Sequence, residues 1–295
     1  MSTDPFRLEG RRIRASFDGA AAGYDAVAVV QAEVRARLLE RLELFRLAPR
    51  RILDAGCGTG HGARALLRHY RGAELVALDL APGMLAQSRS RKPWLRRLDP
   101  VCADAAAVPL ADSTVDLVFS NLMLQWCNEP DAVFTEFRRV LRPGGLLLFT
   151  TFGPDTLKEL RAAWSAADGH THVSRFVDMH DLGDALVRAG LAEPVMDVEH
   201  LTLTYADLRS LMRDLKAMGA RNATAGRNRG LTGRRRLAVA EAHYESLRRD
   251  GRLPATWEVV YGHAWAPAPT PATDRGPDRD GTATVPLADI GRRRR

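Results

Sequence analysis

The sequence predicts an α/β fold: a seven-stranded, mostly parallel sheet with N-terminal helices ahead of it and a helical insertion before the last strand. Three observations predict it. From residue 51 to residue 152, apolar runs of strand length alternate with helical stretches, a rhythm that builds a parallel sheet covered on both faces. A glycine-rich turn, "LDAGCGTGHG", comes directly out of the first of these runs. After the fifth strand the rhythm breaks, and a last strand arrives only after two further helices.

Each element has its own reason. Residues 11–46 read as helical, because Val27, Val30, Val34, Leu38, Leu42 and Phe45 recur at helical spacing. "RILDAG" is the first strand and "GARALLRHY" its helix. "ELVALDL" is the second strand, followed by the helix "PGMLAQSRSR" with Pro82 near its first turn, where a missing N–H costs little. "PVCAD" is a short third strand and "VDLVFSN" the fourth. "PDAVFTEFRRVLRPGG" is a helix closed by Pro-Gly-Gly, and "GLLLFTTF" is the fifth strand. "GPDTLKELRAAWSAAD" and "DMHDLGDALVRAGL" are added helices, the second stopped by Gly190. "PVMDVEHLTLTY" is strand-like, helices follow near 205–218 and 232–250, and "TWEVVYGHAWA" closes the sheet. The expected organisation is a helical region over 1–48, a core over 49–204, a helical lid insertion over 205–253, a final core strand over 254–266, and a Pro-, Asp- and Arg-rich mobile tail over 267–295.

Composition narrows the class. The chain has 295 residues, 45% apolar and 27% charged, which suits one large globular domain with an insertion. The N-terminus lacks the apolar segment of a signal peptide. No run nears the roughly 18 apolar residues of a membrane span. Cys57, Cys102 and Cys127 form no CxxC pair, and reduced thiols in the cytoplasm are the expectation. Net charge is +7. Between Arg209 and Arg236 stand nine basic residues (Arg209, Arg213, Lys216, Arg221, Arg227, Arg229, Arg234, Arg235 and Arg236) against one acid, Asp214. Such a field draws acidic partners. His170, His172 and His180 with Asp181 have no metal-ligand spacing, and no metal is expected.

The chemistry collects at strand ends, where open α/β sheets bind their ligands. Gly56, Gly58, Gly60 and Gly62 let the backbone after strand one pass close to a ligand. His61 stands where the third glycine of a dinucleotide fingerprint belongs. Asp79 ends strand two, placed to accept both hydroxyls of a ribose. Asp104 and Ala105 follow strand three, where a carboxylate takes an adenine amino proton and the backbone reads the ring.

This set resembles the class I S-adenosylmethionine-dependent methyltransferases, a Rossmann-like family, over about residues 50–151. The motifs are "LDAGCGTG", "LVALDLAPGML", "ADAAAVPLADSTVDLVFSN" and "RVLRPGGLLLFTTF". The resemblance implies that Asp54 and the loop of Gly56, Gly58 and Gly60 hold the methionine end of S-adenosylmethionine. It implies further that Asp79, with Leu80 beside it, holds the ribose, Asp104 and Ala105 the adenine, and that Met84 packs near them.

Strand four ends in Ser120 and Asn121, with Gln125 and Trp126 just beyond, and no His, Glu or Lys stands between Val115 and Cys127 to act as a base. An amine or hydroxyl acceptor must lose a proton. A carboxylate with a pKa near 4 is already ionised at pH 7, so alignment and exclusion of water can carry the rate. Further segments, "SNLMLQWCNEP", "FGPDTLKELRAAW", "HVSRFVDMHDLGDAL", "DLKAMGARNATAGR" and "GLTGRRRL", are similar to the malonyl-thioester O-methyltransferase family of biotin synthesis, over about residues 11–265. That resemblance implies methylation of the free carboxylate of malonyl carried on acyl carrier protein or coenzyme A. It also implies that Tyr24 closes over the cofactor, with Asn121, Gln125 and Trp126 at the reacting end. Arg175, Lys216 and Arg227 are the candidate cations for the malonyl group.

Two other readings stay open at this level. "FGPDTLKELR" also resembles a respiratory-complex assembly factor of arginine-hydroxylase type, and small-molecule methyltransferases of quinone or trans-aconitate type share the cofactor motifs. A nucleic-acid partner is not expected, since strand four lacks an N-P-P-Y-like end and no RNA module is appended. No membrane partner is expected, and the working unit is expected to be a monomer.

Overall fold

A computed structural model of the chain describes residues 4–268 apart from 229 and 231. The tail from residue 269 onward, Arg229 and Leu231 therefore lie outside the described residues. The elements run, in chain order, α1 (Gly10–Ala20), α2 (Val29–Leu42), β1 (Arg51–Ala55), α3 (His61–His69), β2 (Glu74–Asp79), α4 (Pro82–Ser90), β3 (Leu98–Cys102), β4 (Val115–Asn121), α5 (Pro130–Val140), β5 (Leu141–Phe152), α6 (Lys158–Ser165), α7 (Met179–Arg188), β6 (Ala192–Tyr205), α8 (Leu208–Ala217), α9 (Arg234–Glu245) and β7 (Leu253–Trp265). The seven strands form one sheet in the order β3-β2-β1-β4-β5-β7-β6. β7 pairs antiparallel with both β5 and β6, and the other pairings are parallel.

The central strands read as unbroken apolar runs because both their faces are covered. Ile52, Leu53, Leu75, Leu117, Val118 and Phe119 have no exposed surface. On one face they meet Val34, Leu38 and Leu42 of α2, Leu66 and Leu67 of α3, and Trp164, Leu211 and Tyr244 of α6, α8 and α9. On the other face they meet Val133, Phe134 and Phe137 of α5 and Leu182 and Leu186 of α7. Each such side chain contributes roughly 1.5–3 kcal/mol on burial.

Two boundaries differ from the sequence reading. Residues 11–46 are two helices, not one, separated by a short 3₁₀ turn at Tyr24–Ala26. The two helices bury different partners: Val30, Val34, Leu38 and Leu42 of α2 join the main core, whereas Ile13 of α1 belongs to a separate small cluster with Leu8 and Ala223. Gly23 sits at the break, where a glycine inside a helix would cost about 1 kcal/mol. The helix expected to close on Pro-Gly-Gly ends earlier, at Val140, and β5 already includes Pro143, Gly144 and Gly145. A register shift between Val115 and Leu117 absorbs these residues, and Gly144 takes a left-handed conformation, φ +77°, that suits glycine.

α8 and α9 lie between β6 and β7 in sequence. They pack beside α6 and β6 in the same core cluster.

Candidate functional site

A cavity of about 360 Å³ lies at the carboxyl ends of β1, β2, β3 and β4. Its floor is the turn after β1. Gly56 and Gly58 have φ of +74° and +52°, and a Cβ on Gly56 would collide with the side chain of Met123. Gly58 has nothing within 4 Å of its Cβ position, so its backbone opens directly onto the cavity. Gly60 does not line the cavity. A Cβ there would sit 2.5 Å from Ser88 Oγ and 2.7 Å from Ser88 Cα, so this glycine permits close approach of the loop to α4.

Asp79 stands in the wall, where its Oδ2 accepts from Gly58 N–H at 2.8 Å and its Oδ1 from Ala81 N–H at 2.9 Å. Each oxygen keeps a second lone pair for a ligand hydroxyl. Burial raises its pKa, against the pull of these N–H groups. Leu80 and Met84 line the same end, Met84 being 2% exposed. Asp104 is exposed at the rim, its Oδ1 accepting from Ala106 N–H at 2.9 Å, and buried Ala105 lies beside it. These residues suit a nucleoside: a backbone cradle, a diol acceptor and a rim carboxylate.

Asp54 is not among the residues that line this cavity. It is 2% exposed, its Oδ2 has no hydrogen-bond partner, and burial and then nearby Asp79 push its pKa up to about 7, opposed by Arg35 of α2 and the Ala63 N–H.

The other half of the cavity is built from Tyr24, Gln31, Asn121, Gln125, Trp126, Phe152, Met218, Ala220 and Trp257. Tyr24 is carried by the 3₁₀ turn, and its hydroxyl is held above its ordinary pKa by burial and then by Asp79. Asn121 donates from Nδ2 to the Gln31 carbonyl at 3.3 Å and accepts from Thr150 Oγ1 at 3.1 Å. Gln125 donates from Nε2 to the Leu122 carbonyl at 2.6 Å and accepts from Thr151 Oγ1 at 3.2 Å. Trp126 meets Phe17 edge to face, with ring centroids 5.0 Å apart.

Among the described residues, the ionisable lining is Arg7, Tyr24, Asp79, Asp104, Cys127 and Glu129, with no histidine or lysine. Burial and then Asp104 push the Cys127 thiol up to about 12, so it is no nucleophile near pH 7. The amide half named above thus carries no histidine, lysine or carboxylate; the lining carboxylates are Asp79, Asp104 and Glu129.

The three candidate cations stand elsewhere. Arg175 is exposed and lines an adjoining cavity of about 460 Å³, which shares Arg7, Gln125, Cys127 and Asn128 with the first. Lys216 is exposed on α8 and lines neither. Arg227 pairs with Glu9 Oε1 at 2.6 Å and donates to the Thr224 carbonyl at 2.7 Å, beside a polar cavity of about 480 Å³. Of the insertion, the turn after α8, with Met218 and Ala220, is what reaches the main cavity. His172 stacks on Trp164 and bonds Asp168 at 2.8 Å, while His180 bonds Asp178 at 2.7 Å.

Arg7, Gln31, Met218 and Trp257 were missed by sequence reasoning. Ile13 and Phe17, four residues apart on α1, carried a usable signal of a helix face turned to the cavity. A lone glutamine in a helix and a tryptophan in a buried strand carried none.

Comparison with known proteins gives three findings. Residues 53–149 match a family described as a methyltransferase domain. The chain is 57% identical to a malonyl-acyl-carrier-protein O-methyltransferase of Laribacter hongkongensis, over 94% of this chain and 96% of that protein. Proteins of the same description from Methylovorus sp. and Halorhodospira halophila are 55% and 52% identical, covering 90% and 99% of this chain and 92% and 99% of their own lengths. Among solved structures, the YcgJ protein of Bacillus subtilis superposes with a TM-score of 0.57 at 15% identity, covering 78% of this chain and 97% of that one. That likeness shows the fold alone.

Proposed function

The chain belongs to the malonyl-acyl-carrier-protein O-methyltransferase family, and from that membership we propose that it esterifies the free carboxylate of a malonyl thioester. It is an S-adenosylmethionine-dependent methyltransferase of Rossmann-like fold. The observation that carries the acceptor assignment is the cavity half without a base. When bound, S-adenosylmethionine supplies an already activated methyl on a cationic sulfur. The chain's task is then alignment and drying. The Gly56–Gly58 backbone, Asp79 and Asp104 orient the nucleoside, and Tyr24, Phe17 and Trp126 cover it. Asn121 and Gln125, tied to Thr150 and Thr151, fix the wall near the transfer point. A carboxylate acceptor would need no proton removed, and its negative charge would cancel that of the sulfonium as the methyl passes from one to the other.

We assign the acyl carrier protein as the preferred carrier, with coenzyme A as the alternative, and place the reaction in the cytoplasm at the entry to biotin synthesis, with a monomer as the working unit. No described helix is long and apolar enough to cross a membrane. The assembly-factor and quinone-type readings have no counterpart among the relatives named above.

The test is purified protein with labelled S-adenosylmethionine and malonyl, succinyl and acetyl thioesters, with products identified by mass. One methyl on the malonyl carboxylate and none on acetyl thioester is expected. Protein that binds the cofactor yet leaves malonyl thioester unmodified overturns the assignment.

A further inference from the structure

Two buried polar groups in the cavity wall have no partner in the protein. One is Trp257 Nε1–H, on β7; the other is Gln31 Oε1, on α2. Trp257 is 3% exposed, and its ring is held against Phe152 at a centroid distance of 5.1 Å. Gln31 spends its other amide end on Met218 Sδ at 3.5 Å, a weak acceptor. Unmet buried donors and acceptors are costly and rare in native proteins. Two such groups on residues that line one cavity half, with Phe152 and Met218 beside them, point to a polar ligand atom that would satisfy them on binding.

We propose that the Trp257 indole N–H, assisted by the Gln31 amide, is the neutral donor pair that reads the acceptor carboxylate. This rests on the malonyl-thioester reading above. An indole N–H only donates, so it cannot act as a base, and a carboxylic acceptor does not need one. A half-turn of the Gln31 side-chain amide presents its NH₂ where Oε1 now stands. Together the two groups take one carboxylate oxygen and leave the other free to attack. A cation in the same place would bind the ground state more tightly than the transition state, in which the oxygen's charge is fading, and so slow transfer. Neutral donors hold the group without that penalty; Arg7 is the cation lining the cavity among the described residues, and no lysine or histidine lines it. The pair also sets specificity, because an acetyl thioester offers a methyl group where the donors require an acceptor, and an unmet pair disfavours it.

The test compares wild type, Trp257→Phe and Gln31→Met in the full-length protein. It measures kcat and KM for malonyl-coenzyme A, Ki for acetyl-coenzyme A as competitive inhibitor, cofactor affinity by calorimetry, and Tm. Trp257→Phe keeps the ring and removes the donor. Its kcat/KM for the malonyl substrate is expected to fall by about 10- to 100-fold, while the acetyl Ki falls rather than rises and the cofactor affinity stays within about twofold. Gln31→Met is expected to fall in the same sense by a smaller factor. Turnover unchanged in both variants overturns the donor pair and leaves the malonyl reading standing. Equal loss of malonyl turnover and acetyl affinity overturns it too, since the groups would then be reading the thioester or its carrier arm. If Trp257→Phe fails to fold, as its Tm would reveal, Gln31→Met on its separate helix decides. Wild-type protein that binds the cofactor but does not methylate malonyl-coenzyme A overturns both readings together.

Discussion

Asp54 illustrates how a side chain can be noticed in the sequence while its neighbours stay hidden. Its position near the carboxyl end of β1 was legible, and so were Asp79 and Asp104 at the ends of the next strands, because strand ends of an open sheet collect ligand contacts whatever the helices do. What was not legible is that Asp54 turns under the loop towards Arg35 and Ala63. That depends on where α2 packs. Its raised pKa has a measurable consequence. In the folded chain Asp54 keeps its proton up to about 7, whereas in the unfolded chain it loses it near pH 4. The folded state therefore binds more protons across that window, and stability is greatest at its acid end and falls as pH rises through it. Asp79 is shifted in the same direction. The Tm of the ligand-free protein is expected to decline from about pH 5 to 7.5 more steeply in wild type than in Asp54→Asn. Differential scanning fluorimetry over that range checks it, and parallel curves would refute the burial argument. Gln31 and Trp257 lie at the other extreme, since each gains its meaning from cavity neighbours distant in sequence.

The element that most alters the site is the N-terminal segment, whose break between α1 and α2 the periodicity concealed. It is pinned to the nucleoside end at two points. Asp18 Oδ1 accepts from Gly83 N–H at 2.5 Å, at the start of α4. Asp25 accepts from Thr59 Oγ1 at 2.6 Å, pairs with Arg91, and faces His61 Nε2 at 3.3 Å. Tyr24 and Phe17 are carried over the cavity by these anchors. Asp25→Ala is expected to weaken S-adenosylmethionine binding by about tenfold, the worth of one or two charge-assisted hydrogen bonds, mainly through faster release. Stopped-flow displacement would show the rise in off-rate, and an unaltered rate would mean that Asp25 does not hold the cover in place. The central strands, by contrast, were legible as elements, because burial on both faces writes an apolar run into β1, β2 and β4.

Across the whole molecule, the basic stretch resolves into paired and unpaired charge. Arg209 pairs with Glu241, Arg227 with Glu9, and Arg236 approaches Asp168 at 3.7 Å. Arg213, Lys216, Arg221, Arg234 and Arg235 are exposed. Charge counting in the sequence found the field but could not separate its members, since pairing is decided by tertiary neighbours. Surface cations of this kind speed encounter with an acidic partner and are screened by salt. Arg234→Ala and Arg235→Ala are expected to lower kcat/KM for malonyl-carrier protein several-fold at low ionic strength, less at high, and to leave malonyl-coenzyme A nearly unchanged. Lys216→Ala joins that pattern, because Lys216 lines no cavity wall. Steady-state kinetics on both substrates at two ionic strengths separates the cases, and a salt-independent loss with both would contradict a surface role.

The strand order carries a consequence for how the chain is made. β6 has a single neighbour in the sheet, β7, which itself bridges to β5. Residues 206–252, including α8 and α9, are synthesised between the two. At about 5–20 residues per second, β6 waits roughly 2 to 10 seconds on the ribosome before the strand that anchors it has emerged. During that interval the nascent chain already owns its nucleoside cradle but has neither Trp257 nor a closed sheet edge. Until then the fourteen-residue strand β6 has no partner for either edge and the acceptor side of the cavity lacks Trp257, so sheet closure and completion of the acceptor wall come with the same last strand.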